Sequence, residues 1–171
     1  MSITTSNKGE GDNMAKAALD VCCGAKKFYP DKGDPRVLFC DIRRESITQC
    51  DGRTLTIDPD VIADFRNLPF ADELFSLVIF DPPHLLRSGP NAWLTQAYGK
   101  LSASWRDDLK QGFAECFRVL RPSGVLVFKW SESDIPLGEI LALTDEKPVV
   151  AEKYGRRKHW IVFMKAGESN G

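Results

Sequence analysis

Residues 75–84 read Phe-Ser-Leu-Val-Ile-Phe-Asp-Pro-Pro-His, an apolar run that ends in the corner Asp81-Pro82-Pro83. Short β-branched and aromatic runs of this kind form the buried strands of parallel sheets. Two consecutive prolines cannot continue a hydrogen-bond ladder, so the chain must stop and open at Asp81. The carboxylate then stands at the carboxyl end of a central strand, the edge of an open α/β sheet where ligands bind. An isolated Asp-Pro-Pro also serves simply to end a strand, so the corner by itself leaves turn and active site both open.

Apolar runs recur on both sides of it, over residues 17–23, 37–42, 61–63, 125–130, 149–154 and 160–164. Most are too short for helices and are bounded by Gly, Pro or Asp, which predicts strands. Leu109, Phe113, Cys116, Phe117 and Leu120 recur at helical spacing and predict a helix over residues 105–120, stopped by Arg121-Pro122-Ser123-Gly124. A shorter helix is expected over residues 137–143. Strands alternating with helices imply an α/β fold, a mostly parallel seven-stranded sheet with right-handed crossovers. Two segments depart from that rule. Residues 25–36 are barely long enough for a helical crossover and contain Pro30, Gly33 and Pro35, which cut the first helix to a turn. Residues 46–57 alternate polar and apolar around Cys50-Asp51-Gly52, a hairpin signal. The last two runs, joined at Gly155-Arg156, read as an antiparallel C-terminal hairpin.

At 171 residues, with 43% hydrophobic and 27% charged residues, the chain reads as one globular domain with a proper core. Residues 1–13 are polar and without periodicity, so a flexible leader is expected, with a single domain over residues 14–171. No apolar run approaches the roughly 18 residues that span a bilayer, and no signal-peptide pattern opens the chain, so no membrane and a cytoplasmic location are expected. Cys22, Cys23, Cys40, Cys50 and Cys116 include an adjacent pair and make an odd total, which fits neither a disulfide framework nor a zinc spacing. Reduced, mostly buried thiols and no metal are expected. The formal charge of −1 and pI of about 6.1 exclude a broadly basic nucleic-acid coat. Local clusters remain at Lys26-Lys27, Arg43-Arg44 and Arg156-Arg157-Lys158-His159.

Four acids mark strand ends: Asp20 within the first strand, Asp41 after the second, Asp64 after the third and Asp81 after the fourth. Adjacent parallel strands bring such ends to one crevice. A lone acid after a strand is commonly a cap or loop residue, and four in sequence order are harder to explain that way.

On these residues the chain resembles the class I S-adenosylmethionine (SAM)-dependent methyltransferases, with their Rossmann-like fold. More narrowly it is similar to the amino-methyltransferases of DNA and RNA bases that carry an Asp-Pro-Pro-aromatic motif, and to a small phage-encoded group of such proteins. The resemblance spans residues 17–165. It rests on Leu19-Asp20-Val21-Cys22-Cys23-Gly24, on Phe39-Cys40-Asp41, on Ala63-Asp64-Phe65 with the following Arg66-Asn67-Leu68-Pro69-Phe70, and on Asp81-Pro82-Pro83-His84. Residues Arg118 to Gly124, followed by a strand, are also typical of that fold.

The resemblance implies a cofactor, SAM, held by Asp20, Cys22, Gly24, Asp41, Asp64 and Phe65. Gly24 would let the backbone approach the methionine part, and Asp20 would hold its ammonium. Asp41 would accept from the ribose hydroxyls and Asp64 from the adenine amine, with Phe65 packed nearby. It implies catalysis at Asp81, Pro82, Pro83 and His84. Hydrogen bonds from an exocyclic amine to the Asp81 carboxylate and the Pro82 carbonyl would localise the nitrogen lone pair toward the methyl group. His84 stands where an aromatic residue would stack on an extruded base, and stacking, proton uptake and simple loop capping are all open to it. Lys26 stands where a second glycine is expected, which implies a different turn there. The helix that often precedes the first strand has no expected counterpart in the short leader.

Residues 85–105 mix Arg87, Ser88, Gly89, Asn91, Trp93, Tyr98 and Trp105 and form the expected substrate loop, with Arg87, Trp93 and Tyr98 as binding residues. Aromatics beside an arginine suit a flat anionic substrate such as a nucleotide. The Gly-x-Gly-x-x-Gly fingerprint of nicotinamide dinucleotide sites is absent, and no Pro-Cys pair supplies the nucleophile of a cytosine-C5 enzyme. Three readings stand: methylation of an amino nitrogen on a nucleic-acid base, with target recognition left to a partner subunit; methylation of a small-molecule or protein amine; and a non-catalytic SAM-binding module.

Overall fold

The computed structural model describes residues 16–49, 51–89, 92–154 and 156–167. The expected leader, the region upstream of the first strand, and Cys50, Asn91 and Gly155 lie outside the described residues. In chain order the elements are β1 (Ala18–Asp20), β2 (Val37–Asp41), β3 (Glu45–Thr48), β4 (Thr54–Ile57), β5 (Val61–Ile62) and β6 (Phe75–Phe80). Then follow α1 (Trp93–Tyr98), α2 (Trp105–Val119), β7 (Leu120–Ser131), α3 (Leu137–Leu141), β8 (Pro148–Tyr154) and β9 (Lys158–Met164).

Seven of the nine strands form one sheet in the order β5-β2-β1-β6-β7-β9-β8, and β3 and β4 pair separately as the expected hairpin. The first five are parallel neighbours, whereas β7–β9 and β9–β8 are antiparallel. The sheet therefore grows outward from β1 in one direction and from β6 in the other. A crevice opens at their carboxyl ends, where the strand order reverses.

One face is covered by α2. Leu109, Phe113, Cys116 and Val119 are almost wholly buried there, against Phe80, Phe128 and Phe163. The helix comes close because its Gly112 has no side chain: a Cβ there would lie 2.7 Å from the Phe65 ring and 2.8 Å from that of Phe80. On the opposite face Ala18, Val37, Phe39 and Ile79 are capped by Tyr29 from a run of turns over residues 24–36. Pro30 and Pro35 within those turns leave no helix there, as the sequence predicts.

The expected helix stop at Arg121-Pro122-Ser123-Gly124 needs correction. Leu120 is already extended and opens β7 without a loop. Phe75 pairs with Leu120 but Leu77 with Val125, so residues 121–124 bulge out of the β6–β7 ladder. Ser123, at φ 60°, and Gly124 pair instead with Lys165 through backbone bonds of 3.2 and 2.9 Å. Proline and glycine here make a bulge within a strand rather than a break between elements. Among the described residues no helix is long and apolar enough to cross a membrane.

Candidate active site

The pairing register sets the depth of each strand-end acid. Asp20 pairs with Phe39 and with Ile79, which lie two residues before Asp41 and Asp81. Asp41 pairs with Ile62, two residues before Asp64. Side chains two apart share a face, so all four acids face one side of the sheet in steps. Asp20 is the deepest, and the others rise toward the edge.

A cavity of about 460 Å³ opens at that edge. Of the sequence-predicted residues, Cys22, Gly24, Asp41, Asp64, Phe65, Asp81, Pro83 and Tyr98 line it. Asp20, Pro82, His84, Arg87 and Trp93 do not. Asp20 is fully buried beneath the floor: its Oδ1 accepts from the Cys22 N–H at 3.0 Å and its Oδ2 from the Tyr29 hydroxyl at 2.8 Å. Burial pushes its carboxyl up to about 7, against the pull of those two donors. Pro82 is buried. The Arg87 N–H, at 3.1 Å, donates to Asp134, as does that of Leu86 at 2.7 Å, and the Arg87 side chain is exposed away from the cavity. Trp93 is half-exposed outside the lining and reaches it only through Lys27, whose ammonium lies 5.7 Å from its ring and 5.0 Å from that of Tyr98.

His84 packs its ring 5.8 Å from that of Tyr98 and 6.4 Å from that of Trp130. Burial, helped by the Lys129 charge, lowers it to about 4, so the imidazole is neutral near pH 7. It backs Tyr98 rather than facing the cavity.

Gly24 and Lys26 both adopt left-handed backbone, at φ 50° and 53°. The lysine in the place of the second glycine therefore keeps the left-handed corner instead of changing the turn. The strain of order 1–2 kcal/mol expected for such a residue is offset in part by its ammonium, 4.1 Å above the Phe39 ring. The Gly24 N–H donates to Asp41 Oδ2 at 2.9 Å, and the Arg43 N–H donates to Asp41 Oδ1 at 2.9 Å. Asp41 thereby fixes the turn after β1 from the end of β2.

Asp41 and Asp64 share a local device with Asp34 and Asp51. In each Asp-x-Arg triplet the arginine N–H donates to the aspartate Oδ1 two residues earlier, at 2.9–3.0 Å. The same arginines return their guanidinium groups to these carboxylates. Arg66 goes on to Asp108 of α2 at 3.0 Å, and Arg43 to the Gln96 carbonyl of α1 at 3.0 Å. The Asp64 carboxyl is held below its usual range by Arg66.

Asp81 carries the largest departure from the sequence reading. Its Oδ2 accepts from Lys129 Nζ at 2.5 Å. Phe80 pairs with Phe128 in parallel, so the next residues, Asp81 and Lys129, stand side by side on one face. Burial raises the Asp81 carboxyl, and the Lys129 charge counters that rise. Lys129 also lies 5.4 Å from the Phe28 ring and 5.8 Å from that of Trp160. A lysine inside the apolar run of residues 125–130 was the available signal, but its partner needed the register. Lys27, Phe28, Arg43, Arg66, Lys100 and Asp108 also line the cavity and were not singled out as site residues from sequence. The lining thus offers carboxylate acceptors at one end, apolar and aromatic walls between, and a neutralised acid at the other. That order suits an elongated ligand bearing hydroxyls and an amine.

No protein-family model matches the chain. Two curated relatives are malonyl-[acyl-carrier protein] O-methyltransferases. That of Hamiltonella defensa is 26% identical over 147 residues, 81% of this chain and 47% of the relative. That of Enterobacter lignolyticus is 28% identical over 135 residues, 76% of this chain and 45% of the relative. The chain thus spans about half the length of the curated relatives it matches. Among solved structures, a protein from Pyrococcus horikoshii superposes with a TM-score of 0.56 at 18% identity, over 86% of this chain and 81% of the other. SAM-dependent methyltransferases from Aquifex aeolicus and Methanosarcina mazei superpose with TM-scores of 0.52 and 0.51, at 14% and 13% identity. They are matched over 80% and 92% of their own lengths and over 86% and 88% of this chain. The mostly parallel seven-stranded sheet with its antiparallel C-terminal strands is the Rossmann-like fold of the class I methyltransferases.

Proposed function

We propose that the protein is a SAM-dependent methyltransferase that methylates an exocyclic amino nitrogen, most simply on a nucleic-acid base. The observation that carries this reading is the stepped row of acids around one cavity at the strand-order reversal, with the Asp81-Pro82-Pro83 corner at its far end. The residues present fit the cofactor. The left-handed Gly24 turn exposes backbone beside the floor, Asp41 and Asp64 offer acceptors for hydroxyl and amine groups, and Phe65 offers an apolar wall. SAM bound there would supply an electrophilic methyl group.

The chain's own residues would do the rest. Asp41 holds the turn around the cofactor, while Asp20 acts from below by fixing Tyr29 and the Cys22 backbone. Among the described residues no hydrogen bond occupies Asp81 Oδ1, so it remains to accept one amine N–H while Oδ2 stays with Lys129. An accepted N–H aims the nitrogen lone pair at the methyl group without strong proton abstraction. Tyr98, backed by His84, gives the base an aromatic face.

Calorimetric titration with SAM tests the cofactor half of this reading. Micromolar binding that weakens at least tenfold in Asp41→Ala is expected, and no binding by the wild type refutes it. Labelled SAM offered with DNA, RNA, protein and metabolite pools tests the acceptor half, with label expected in nucleic acid. A second reading, transfer to an oxygen, is favoured by the Lys129 ammonium, which suits a carboxylate, and by the curated relatives being O-methyltransferases. Methyl esters lose label as volatile methanol in mild base, whereas methylated amines keep it.

A further inference from the structure

A second cavity of about 380 Å³ lies beside the first and shares Ala25 and Lys27 with it. Its remaining walls come from Lys32 in the turns after β1 and from Gln49, Arg53 and Thr56 of the β3–β4 hairpin. Every ionisable group in its lining is a cation. That is unusual for a chain with 23 basic and 24 acidic residues and a net charge of −1. Elsewhere around the site the arginines face acids, as in Arg43 with Asp41 and Arg66 with Asp64. Here Lys27 and Lys32 face no carboxylate among the described residues, and Arg53 pairs only with Asp51, two residues before it and outside the lining. Asp31, next to Lys32, turns its Oδ1 to the Gly33 N–H at 2.8 Å.

The order of groups along the two cavities is also informative. From Asp81 a ligand would pass the Tyr98 ring, then Lys27, then Lys32, Arg53 and the neutral donors Gln49 and Thr54. A corner for an amine, an aromatic face and then a row of cations follow the order of a base and its phosphodiester backbone. The hairpin that builds the outer wall replaces a crossover helix, so it is an addition to the sheet rather than part of its core.

We propose that this second cavity binds the phosphodiester of a single-stranded nucleic acid next to the methylated base. The assignment rests on the base-methylation reading above. Lys32→Glu with Arg53→Glu is a suitable probe, because both side chains are exposed and outside the main cavity. A fluorescent single-stranded oligonucleotide, followed by anisotropy across a salt series, should bind the wild type and lose about tenfold or more in the double variant. The slope of log affinity against log salt should fall by about 1.4, at 0.7 per lost phosphate contact. Inorganic pyrophosphate should compete with the oligonucleotide on the wild type, and calorimetric SAM affinity should be the same in both proteins. Equal oligonucleotide affinity in the two proteins overturns the proposal, as does no binding by the wild type. Loss of binding in Arg156→Glu with Arg157→Glu but not in the hairpin variant moves the anion site to the β8–β9 turn and also overturns it. SAM binding is read separately, so failure of the phosphate site is distinguishable from failure of the methyltransferase reading.

Discussion

Asp20→Asn gives the most demanding test of the buried floor. The wild-type carboxylate is fully buried and its carboxyl rises from 3.8 to about 7, chiefly through loss of solvation. The folded protein therefore holds this proton more tightly than the unfolded chain. Stability from this group is fully present below pH 3.8 and is lost as pH rises toward 7, after which it is level. The whole difference corresponds to about 4 kcal/mol, at about 1.4 kcal/mol per pH unit. An asparagine keeps an acceptor for the Cys22 N–H and donates to the Tyr29 oxygen, and it has no charge to bury. Other acids pull the other way, since Asp64, Asp108 and Asp134 are held low by their partners. The difference between variant and wild type removes their shared contribution. Urea unfolding followed by circular dichroism at pH 5 and pH 8 should show the variant gaining about 3 kcal/mol on the wild type between the two. In melting temperature that is of order 10 °C for a chain of this size. A variant-to-wild-type difference that is the same at both pH values would refute the reasoning. SAM affinity should be preserved, because Asp20 does not line the cavity.

Asp81→Ala should lower methyl transfer by about 10²-fold or more while SAM affinity stays within about threefold, read by label transfer and calorimetry. Lys129→Met should cost about 3–5 kcal/mol in urea unfolding, because it strands the Asp81 carboxylate. Adding Asp81→Asn should recover most of that loss. Gly112→Ala should cost about 1–3 kcal/mol by forcing α2 off the rings of Phe65 and Phe80. It should also weaken SAM binding through Phe65, both effects being measurable in one calorimetric series.

All seven strands of the main sheet were legible as short apolar runs, because a strand covered on both faces needs no alternation. The β3–β4 hairpin and the missing first helix were legible for a different reason, the turn chemistry of Asp51-Gly52 and the prolines at 30 and 35. Depth was not legible. Asp20 and Asp41 look alike in sequence, and only the register shows one lying beneath the floor and the other in the wall. The same holds for Lys129, whose partner is the residue after Phe80 once β6 and β7 are aligned. Arg121-Pro122-Ser123-Gly124 read as a helix stop because local chemistry cannot distinguish a loop from a bulge whose partner, Lys165, lies forty residues on. Helix α1 was missed because six residues present too little periodicity.

The Asp-x-Arg triplets bear on how ligands reach the site. Each strand-end carboxylate at the mouth brings its own counter-charge two residues on, so opposite charges cancel within a few ångströms. Such pairs project little field beyond a Debye length of about 8 Å at physiological salt. A cationic ligand is then not drawn in from a distance by Asp41 or Asp64, and it meets their dipoles only on contact. Its association rate with this edge should be nearly independent of ionic strength, and its residence time should set its affinity.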